Sequence, residues 1–152
     1  MISLFYEQRN WTITRDGNKQ ALELADRHYS RKTPGAKLFV GIGEKLVLIA
    51  TDNEGKKALF SWRKSDDNLR LDNQTGVECT IFRNETSIQS STLIKEAVQI
   101  ARERWPDTKR FFTYVNPSKV KSTKPGYCFL KAGWRYSGKN NNGNLIIMEV
   151  LK

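Results

Sequence analysis

The sequence is poor in the residues that build metal sites and disulfide frameworks. It has one histidine and two cysteines, Cys79 and Cys128, in 152 residues. These three side chains show no spacing typical of a zinc or other transition-metal site, so no resident metal is predicted. Cys79 alternates with two apolar residues and is expected to be a buried strand residue, and both cysteines are expected to be free thiols.

Long apolar runs are also lacking. No stretch comes near the roughly 18 apolar residues that a membrane-spanning helix needs. Residues 1–7 lack the basic start and the long apolar core of a signal peptide. We therefore expect a cytoplasmic protein with no membrane partner. Its content of 38% hydrophobic and 28% charged residues predicts one globular domain over residues 1–152.

Acidic residues are outnumbered by basic ones. Lysine and arginine total 26 against 16 aspartate and glutamate residues, which gives a net charge of +10. A domain this basic attracts polyanions, of which nucleic acid is the commonest, and its affinity for them depends on salt. The charge therefore predicts DNA as a partner, with simple solubility as the alternative.

A strand, a polar turn and an amphipathic helix follow one another in the middle of the chain. Val77–Phe82 alternates as a strand does, and residues 83–89 form a turn. Over Ser90–Arg104 the apolar side chains fall on one helical face. The hydroxyl groups of residues 90–92 are predicted to cap this helix. Because free N–H groups and the helix dipole point the same way, the helix start is a candidate anion site.

Further elements are predicted on either side of this unit. The predicted strands are Trp11–Thr14, Lys37–Gly41, Glu44–Thr51, Lys57–Arg63 and Arg110–Val115 with a hairpin over 134–151, and the predicted helices are Asn18–Tyr29 and Tyr127–Ala132. The polar stretch 64–75 is predicted to be a loop. A helix between the strands at 77–82 and 110–115 makes that pair a right-handed parallel crossover. The predicted class is α/β (α+β), a mixed, mostly antiparallel sheet with helices on both faces.

This order of elements resembles the GCN5-related N-acetyltransferase (GNAT) fold over nearly the whole chain. Asn116 follows a strand, and Pro125–Trp134 is similar to the family's late motif, an aromatic-rich short helix ending in a Gly–aromatic pair. At its phosphate-binding turn the family has Arg/Gln-x-x-Gly-x-Gly/Ala, where this sequence has Glu85, Ile88 and Ser90. The resemblance implies acyl transfer, with acetyl-CoA or another acyl donor as the cofactor.

A second resemblance is shorter and points to one branch of this fold. Residues 82–85, Phe-Arg-Asn-Glu, followed by two serines at 90 and 91, resemble the small phage and bacterial Mom-type DNA modification proteins. Those proteins have a GNAT-like fold and act on adenine in DNA. The resemblance implies an acyltransferase-type enzyme that modifies the adenine amine of DNA. Two other functions stay open: an acetyl-CoA-dependent N-acetyltransferase acting on a small amine or a protein, and a non-catalytic module that binds nucleic acid or a host protein.

Three residues, Glu85, Tyr127 and His28, are candidates for the chemistry. Groups at the carboxyl ends of neighbouring strands line one crevice in α/β sheets, and Glu85 and Tyr127 are expected near such a crevice. Glu85 is a candidate general base for an amine, with an ion pair to Arg83 as the alternative. Tyr127 matches the general-acid tyrosine of the GNAT family, which protonates the departing thiolate, with packing beneath Trp134 as the alternative. His28 lies on the apolar face of a predicted helix, where a buried structural role is the alternative to a base or a metal ligand.

Binding residues are predicted for the cofactor and for the substrate. The cofactor-binding candidates are Arg83, Ser90, Ser91 and Asn116, and the candidates for contact with the substrate or nucleic acid are Tyr29, Arg31, Asn84, Tyr114, Lys119 and Lys121. A guanidinium and a helix start both bind phosphate, and aromatic rings among basic loops suit an unstacked base. The alternatives are turn formation for both asparagines, helix capping for both serines and core packing for Tyr114.

Overall fold

The structure, a computed structural model, describes residues 9–119 and 124–152, which form seven strands and three α-helices. The strands are β1 (Trp11–Thr14), β2 (Glu44–Thr51), β3 (Lys57–Lys64), β4 (Val77–Asn84), β5 (Arg110–Val115), β6 (Arg135–Lys139) and β7 (Ile146–Leu151). The helices are α1 (Lys19–Asp26), α2 (Ser90–Arg104) and α3 (Tyr127–Lys131). In these two ranges no helix is both long and apolar enough to cross a membrane.

The seven strands of the described residues join one sheet in the order β1-β2-β3-β4-β5-β7-β6. Neighbouring strands are antiparallel except β4 and β5, which run parallel with α2 as their crossover. Helices α2 and α3 pack on one face of the sheet and α1 packs on the other. The predicted class, a mixed and mostly antiparallel sheet with helices on both faces and one parallel crossover, is therefore confirmed.

The larger core lies between the sheet and α2. Trp62 of β3 and Phe111 of β5 are fully buried there, with ring centroids 5.2 Å apart and edge to face. Leu93 and Ile94 of α2 belong to the same cluster. Since the indole N–H of Trp62 donates to the Ala97 carbonyl (3.1 Å), this side chain enters the core with its donor satisfied. The helical face predicted to be apolar is the face that packs on the sheet.

Helix α1 is shorter than predicted. The pattern extends it over Asn18–Tyr29, but it ends at Asp26 with Arg27 as its C-cap. The Arg27 carbonyl accepts a hydrogen bond from the Arg83 guanidinium (2.9 Å), which ties the chain to β4 at this point. His28 therefore lies in the turn that follows the helix and not on the helix's apolar face.

Residues 37–41 do not form the predicted strand. The N–H groups of Phe39 and Val40 donate to the two carboxylate oxygens of Asp16 (2.8 and 3.2 Å). Lys45 of β2 also binds this carboxylate (2.8 Å). The N–H groups of Phe39 and Val40 are thus satisfied by the side chain of Asp16, and pairing with a neighbouring strand is not required to satisfy them.

The polar stretch between β3 and β4 contains a 3₁₀ turn, Asp67–Leu69, and is anchored by Arg70. The Arg70 side chain is only 5% exposed and pairs with Asp72 (2.6 Å) and Glu78 (2.8 Å). Its guanidinium also lies 5.0 Å from the ring centroid of Phe112, a fully buried residue of β5. This stretch therefore covers the sheet face opposite α2.

Candidate functional site

Strands β4 and β5 separate at their carboxyl ends. Their pairing ends at Cys79 and Thr113, where the Thr113 hydroxyl donates to the Cys79 carbonyl (2.9 Å). At the same level Thr80 forms a bulge in β4, because Cys79 and Ile81 pair with consecutive residues of β3. At the amino end of β4, Gly76 allows the backbone to approach β5 closely, because a Cβ at this position would lie 2.2 Å from the Arg110 carbonyl oxygen.

A cavity of about 140 Å³ lies in the gap between these two strand ends. We call it the β4–β5 cavity. It is lined by Thr80 and Phe82 of β4, Thr113, Tyr114 and Val115 of β5, Gly126, Cys128 and Phe129 at α3, and His28 and Tyr29 after α1. Three residues of the predicted site, His28, Tyr29 and Tyr114, thus lie around one cavity.

The His28 ring is fixed by the chain that follows it. Its Nδ1 accepts the backbone N–H of Ser30 (3.1 Å) and lies 2.7 Å from the Ser30 hydroxyl. The ring stacks on Tyr29 with centroids 4.3 Å apart. Burial, and then the charge of Arg83, lower the pKa of His28 to about 4. The imidazole is therefore neutral at physiological pH, and its unprotonated nitrogen is already occupied.

The two tyrosines of the cavity bond to groups on its rim. The backbone N–H of Asn116 donates to the Tyr29 hydroxyl oxygen (3.2 Å), which brings the residue after β5 next to the turn after α1. The Tyr114 hydroxyl donates to Asp72 (2.7 Å). Burial, and then Asp72, raise the pKa of Tyr114. Asp72 also lines a wider groove of about 920 Å³, together with Leu71. The hydrogen bond between Tyr114 and Asp72 therefore connects a residue of the cavity with a residue of this groove.

The turn between β4 and α2 is held by Asn84. Its side-chain N–H groups donate to the Ile88 carbonyl (2.7 Å) and the Ser90 hydroxyl (3.0 Å), and its oxygen accepts the Thr86 N–H (2.9 Å). The turn-forming alternative for Asn84 is therefore what the structure shows. The Ile88 side chain packs against the larger core.

Helix α2 starts without a side-chain cap. Gln89 is the N-cap residue and its side chain makes no capping bond, so the prediction of capping by the hydroxyls of residues 90–92 is wrong. Asn84 engages the Ser90 hydroxyl from outside the helix. Within residues 9–119 and 124–152, the backbone N–H groups of Gln89, Ser90 and Ser91 donate to no protein atom. Three free donors therefore lie at the positive end of a 15-residue helix.

Arg83 and Glu85 form a charged cluster with Arg27. Glu85 accepts from the Arg27 guanidinium at 2.7 and 2.8 Å and from Arg83 at 2.5 Å. The predicted alternative, an ion pair between Glu85 and Arg83, is thus present. Arg83 also donates to the Arg27 carbonyl (2.9 Å), so its guanidinium bonds to Glu85 and to the end of α1 and not to the N-terminus of α2.

Other predicted residues lie apart from the cavity or are engaged elsewhere. Tyr127 is 46% exposed and does not line the cavity, although its neighbours in sequence do. The Arg31 side chain is only 8% exposed and binds Asp26 (2.7 Å), so it is not free to contact a nucleic acid. Lys119 is exposed, and Lys121 lies outside the described residues.

Asn116 is a turn residue as well as a neighbour of Tyr29. Its side-chain oxygen accepts from the N–H (3.1 Å) and the hydroxyl (2.7 Å) of Ser118. The alternative of turn formation is therefore present, and the Asn116 amide oxygen is occupied by its own loop.

Cys128 lines the cavity and was missed by the sequence reasoning as a site residue. It is partly buried, it is a free thiol as predicted, and burial raises its pKa. Cys128 lies inside the Pro125–Trp134 segment, and this is the feature of the sequence that points to a place near the site. Among the described residues no three histidine, cysteine, aspartate or glutamate side chains are placed to hold a metal ion.

Comparison with known proteins places this geometry in a known fold. Neither a protein-family model nor a curated protein matches the sequence. Among solved structures, aminoglycoside 6′-acetyltransferase type Ii is similar with a TM-score of 0.62 at 14% identity, over 93% of this chain and 96% of that one. The chain has the GNAT fold.

Two further acetyltransferase structures are similar. The spermidine N-acetyltransferase from Vibrio cholerae, in complex with CoA and spermine, has a TM-score of 0.54 at 11% identity, over 93% of this chain and 95% of that one. The aminoglycoside acetyltransferase AAC(6′)-Ib, in complex with coenzyme A, has a TM-score of 0.48 at 17% identity, over 71% of this chain. The chain spans slightly less than two thirds of that protein's length, 66%.

Proposed function

We propose that this protein transfers an acyl group from a coenzyme A thioester to an amine. The proposal is carried by two features together: the cavity at the carboxyl ends of β4 and β5, and the free N–H groups at the N-terminus of α2, the helix that follows β4 in the chain. The free N–H groups suit an anion, and the cavity suits an uncharged acyl group. The GNAT fold supports the proposal, because the similar structures are acetyltransferases and one of them is in complex with CoA and spermine.

The residues at the start of α2 fit the phosphate groups of coenzyme A. The N–H groups of Gln89, Ser90 and Ser91 need acceptors, and phosphate oxygens supply them. Ile88 replaces a glycine of the family's turn, but its side chain packs against the core and is not turned toward these donors. The Asn84 side chain fixes the turn. The donors are thus held in place before any ligand binds.

The chain's own residues would bind and orient the reactants. When bound, the thioester supplies the carbonyl carbon that an amine attacks. The uncapped helix start would hold its phosphates, and the β4–β5 cavity would receive its acyl end. Tyr29 and Tyr114 border the cavity on the side of α1, so the amine would approach past these rings. Asn116 keeps the Tyr29 hydroxyl in position through its backbone N–H.

For the acceptor, we propose the exocyclic amine of adenine in DNA, as in the Mom-type proteins that the sequence resembles. The net charge of +10 favours a polyanion and repels small polycations such as polyamines. An adenine in duplex DNA must leave the helix to react. Tyr29, which is 41% exposed at the rim of the cavity, offers a ring on which such a base can stack.

Binding of acetyl-CoA tests the choice of donor. Calorimetric titration of the full chain is expected to show saturable binding of acetyl-CoA and of coenzyme A, with matching rises in melting temperature. Adenosine, which lacks the pyrophosphate, is the control and should bind far more weakly. A flat titration with both coenzyme A forms would overturn the proposed function.

A labelled acyl donor tests the choice of acceptor. The protein is incubated with acetyl-CoA carrying a radioactive acetyl group and with either duplex DNA or spermidine. Label in DNA, located on adenine by nucleoside mass spectrometry, is the expected result. Label in spermidine alone would replace DNA by a small amine, and salt-dependent DNA binding without any transfer would make the protein a binding module.

A further inference from the structure

The tautomer of His28 is set by its backbone contact. A backbone N–H can only donate, so the Ser30 N–H at 3.1 Å requires an unprotonated Nδ1. In a neutral imidazole with a bare Nδ1, the proton is on Nε2. The ring therefore presents an N–H donor, and not a lone pair, at the nitrogen that the chain leaves free.

The residue that carries this donor lines the β4–β5 cavity. His28 lines the cavity, and its Nε2 has no hydrogen-bond partner in the part of the chain that the structure describes. The titratable and charged groups around the ring are Arg83 of β4, Tyr29 beside it, Tyr114 of β5 and Cys128 of α3. Arg83 is the permanent charge of this set, and it opposes a second positive charge on the ring.

We propose that His28 donates a hydrogen bond from Nε2 to the carbonyl oxygen of the acyl group during transfer. This inference rests on the proposed function and replaces the general base predicted for His28 by a neutral donor. In the step, the amine nitrogen bonds to the carbonyl carbon and the carbon–sulfur bond breaks with its electron pair on sulfur. The proton lost by the nitrogen goes to solvent. The imidazole keeps its own proton and stabilises the negative charge that develops on the oxygen.

Nitrogen-15 NMR of the full chain tests the tautomer without any assay of activity. Because the chain has one histidine, its ring signals are assigned without ambiguity. The expected result at neutral pH is a protonated Nε2 and a bare Nδ1, with protonation of the ring only near pH 4. A proton on Nδ1, or a ring that is charged at pH 7, would overturn the proposal.

Two ligands separate this proposal from the proposed function. Coenzyme A and acetyl-CoA are both expected to shift the backbone amide signals of Ser90 and Ser91. Only acetyl-CoA, which has the thioester carbonyl, is expected to shift the Nε2–H signal. Shifted serine amides with an unchanged Nε2–H signal would overturn the role of His28 and leave the proposed function standing. No shift with either ligand would overturn both.

Two substitutions test the contribution to the rate. His28→Phe keeps a flat ring to stack on Tyr29 but removes the donor, and loss of one such donor is expected to lower kcat by about 10²-fold with little change in KM. His28→Gln places an amide N–H near the position of Nε2 and is expected to restore part of the loss. Equal kcat values for His28→Phe and the unchanged protein would contradict the proposal.

Discussion

Glu85 binds Arg27 through both of its carboxylate oxygens, at 2.7 and 2.8 Å, and so ties the end of β4 to the end of α1. Arg83 donates to the same carboxylate at 2.5 Å. The hydrogen bonds from Arg27, and then from Arg83, lower the pKa of Glu85 to about 2. A carboxylate that stays ionised down to this pH is a weak base at neutral pH, so the geometry favours the ion pair over general-base catalysis.

Substitution of Glu85 by glutamine separates these two roles. If Glu85 acts through its ion pairs, Glu85→Gln lowers the free energy of unfolding by about 1 kcal/mol, a value reduced by solvent screening of these partly exposed groups. The effect disappears as the pH falls from the ordinary glutamate range toward 2, because the carboxylate then loses its charge. Urea denaturation measures it. Glu54→Gln, which removes an exposed charge from the turn between β2 and β3, is the control. A large loss of kcat at unchanged stability would instead support a general base.

The free donors of α2 are tested by proline at the first helical position. Ser90→Pro removes one N–H group where proline fits a helix, and Gln89 already has the extended conformation (φ −59°, ψ 130°) that precedes proline. The fold should persist, and coenzyme A binding should weaken about tenfold, as expected for one hydrogen bond to a charged group. Calorimetric titration measures the change.

Ser90→Ala is the matched control for this proline variant. It removes the same hydroxyl, and with it the bond from Asn84, but keeps the backbone N–H. Equal affinity for coenzyme A in Ser90→Pro and the unchanged protein would show that phosphate does not bind at this donor.

The long periodic segments could be predicted from the sequence, and the local ends of elements could not. Leu93 and Ile94 recur at helical spacing because one helical face packs on the sheet, so α2 was predicted within its observed bounds. At the end of α1, the carbonyl of the C-cap residue Arg27 accepts a hydrogen bond from Arg83, which lies 56 residues later in the chain. The missing strand at 37–41 depends in the same way on Asp16. Neither Arg83 nor Asp16 can be recognised from the sequence around the segment that it contacts.

Only part of the candidate site could be predicted, because the rest depends on contacts between residues far apart in the chain. The parallel crossover brings the ends of β4 and β5 to one edge of the sheet, and Tyr114, one of the predicted site residues, lines the cavity there. Cys128 was missed because it stands inside a short helix with no distinctive spacing. Arg70 was missed because its burial over Phe112 depends on how a polar loop folds back on the sheet.

Arg70 is expected to be the residue of the polar loop on which stability depends most. Arg70→Met keeps much of the side-chain volume over Phe112 but leaves Asp72 and Glu78 without their shared cation. Removing one member of a buried ion pair costs about 3–5 kcal/mol. We expect about 2 kcal/mol here, below that range, since the Asp72 side chain is 30% exposed and water replaces part of the interaction.

Chemical denaturation measures the effect of Arg70→Met. Lys64→Met removes a nearby but exposed charge and should change the unfolding free energy by less than about 0.5 kcal/mol. Hydrogen exchange at Val77–Cys79 and Phe111–Thr113, where β4 and β5 pair, tells whether the loss is local to that edge or global. A stability of Arg70→Met equal to that of the Lys64→Met control would contradict the role given to this ion pair.

The depressed pKa of His28 predicts a stability that falls with acidity before the carboxylates titrate. The folded ring stays neutral until about pH 4, whereas the ring in the unfolded chain takes up a proton below about 6.5. Since the unfolded state binds more protons in this window, the free energy of unfolding falls as the pH is lowered from 6.5 to 4, by up to about 3 kcal/mol. His28→Phe has no such group and should show a flatter profile over the same range. Urea denaturation of both proteins at half-unit pH steps measures the difference between their free energies of unfolding. The contributions of the carboxylates are common to both proteins and cancel in this difference. Parallel profiles would show that the fold does not keep His28 neutral.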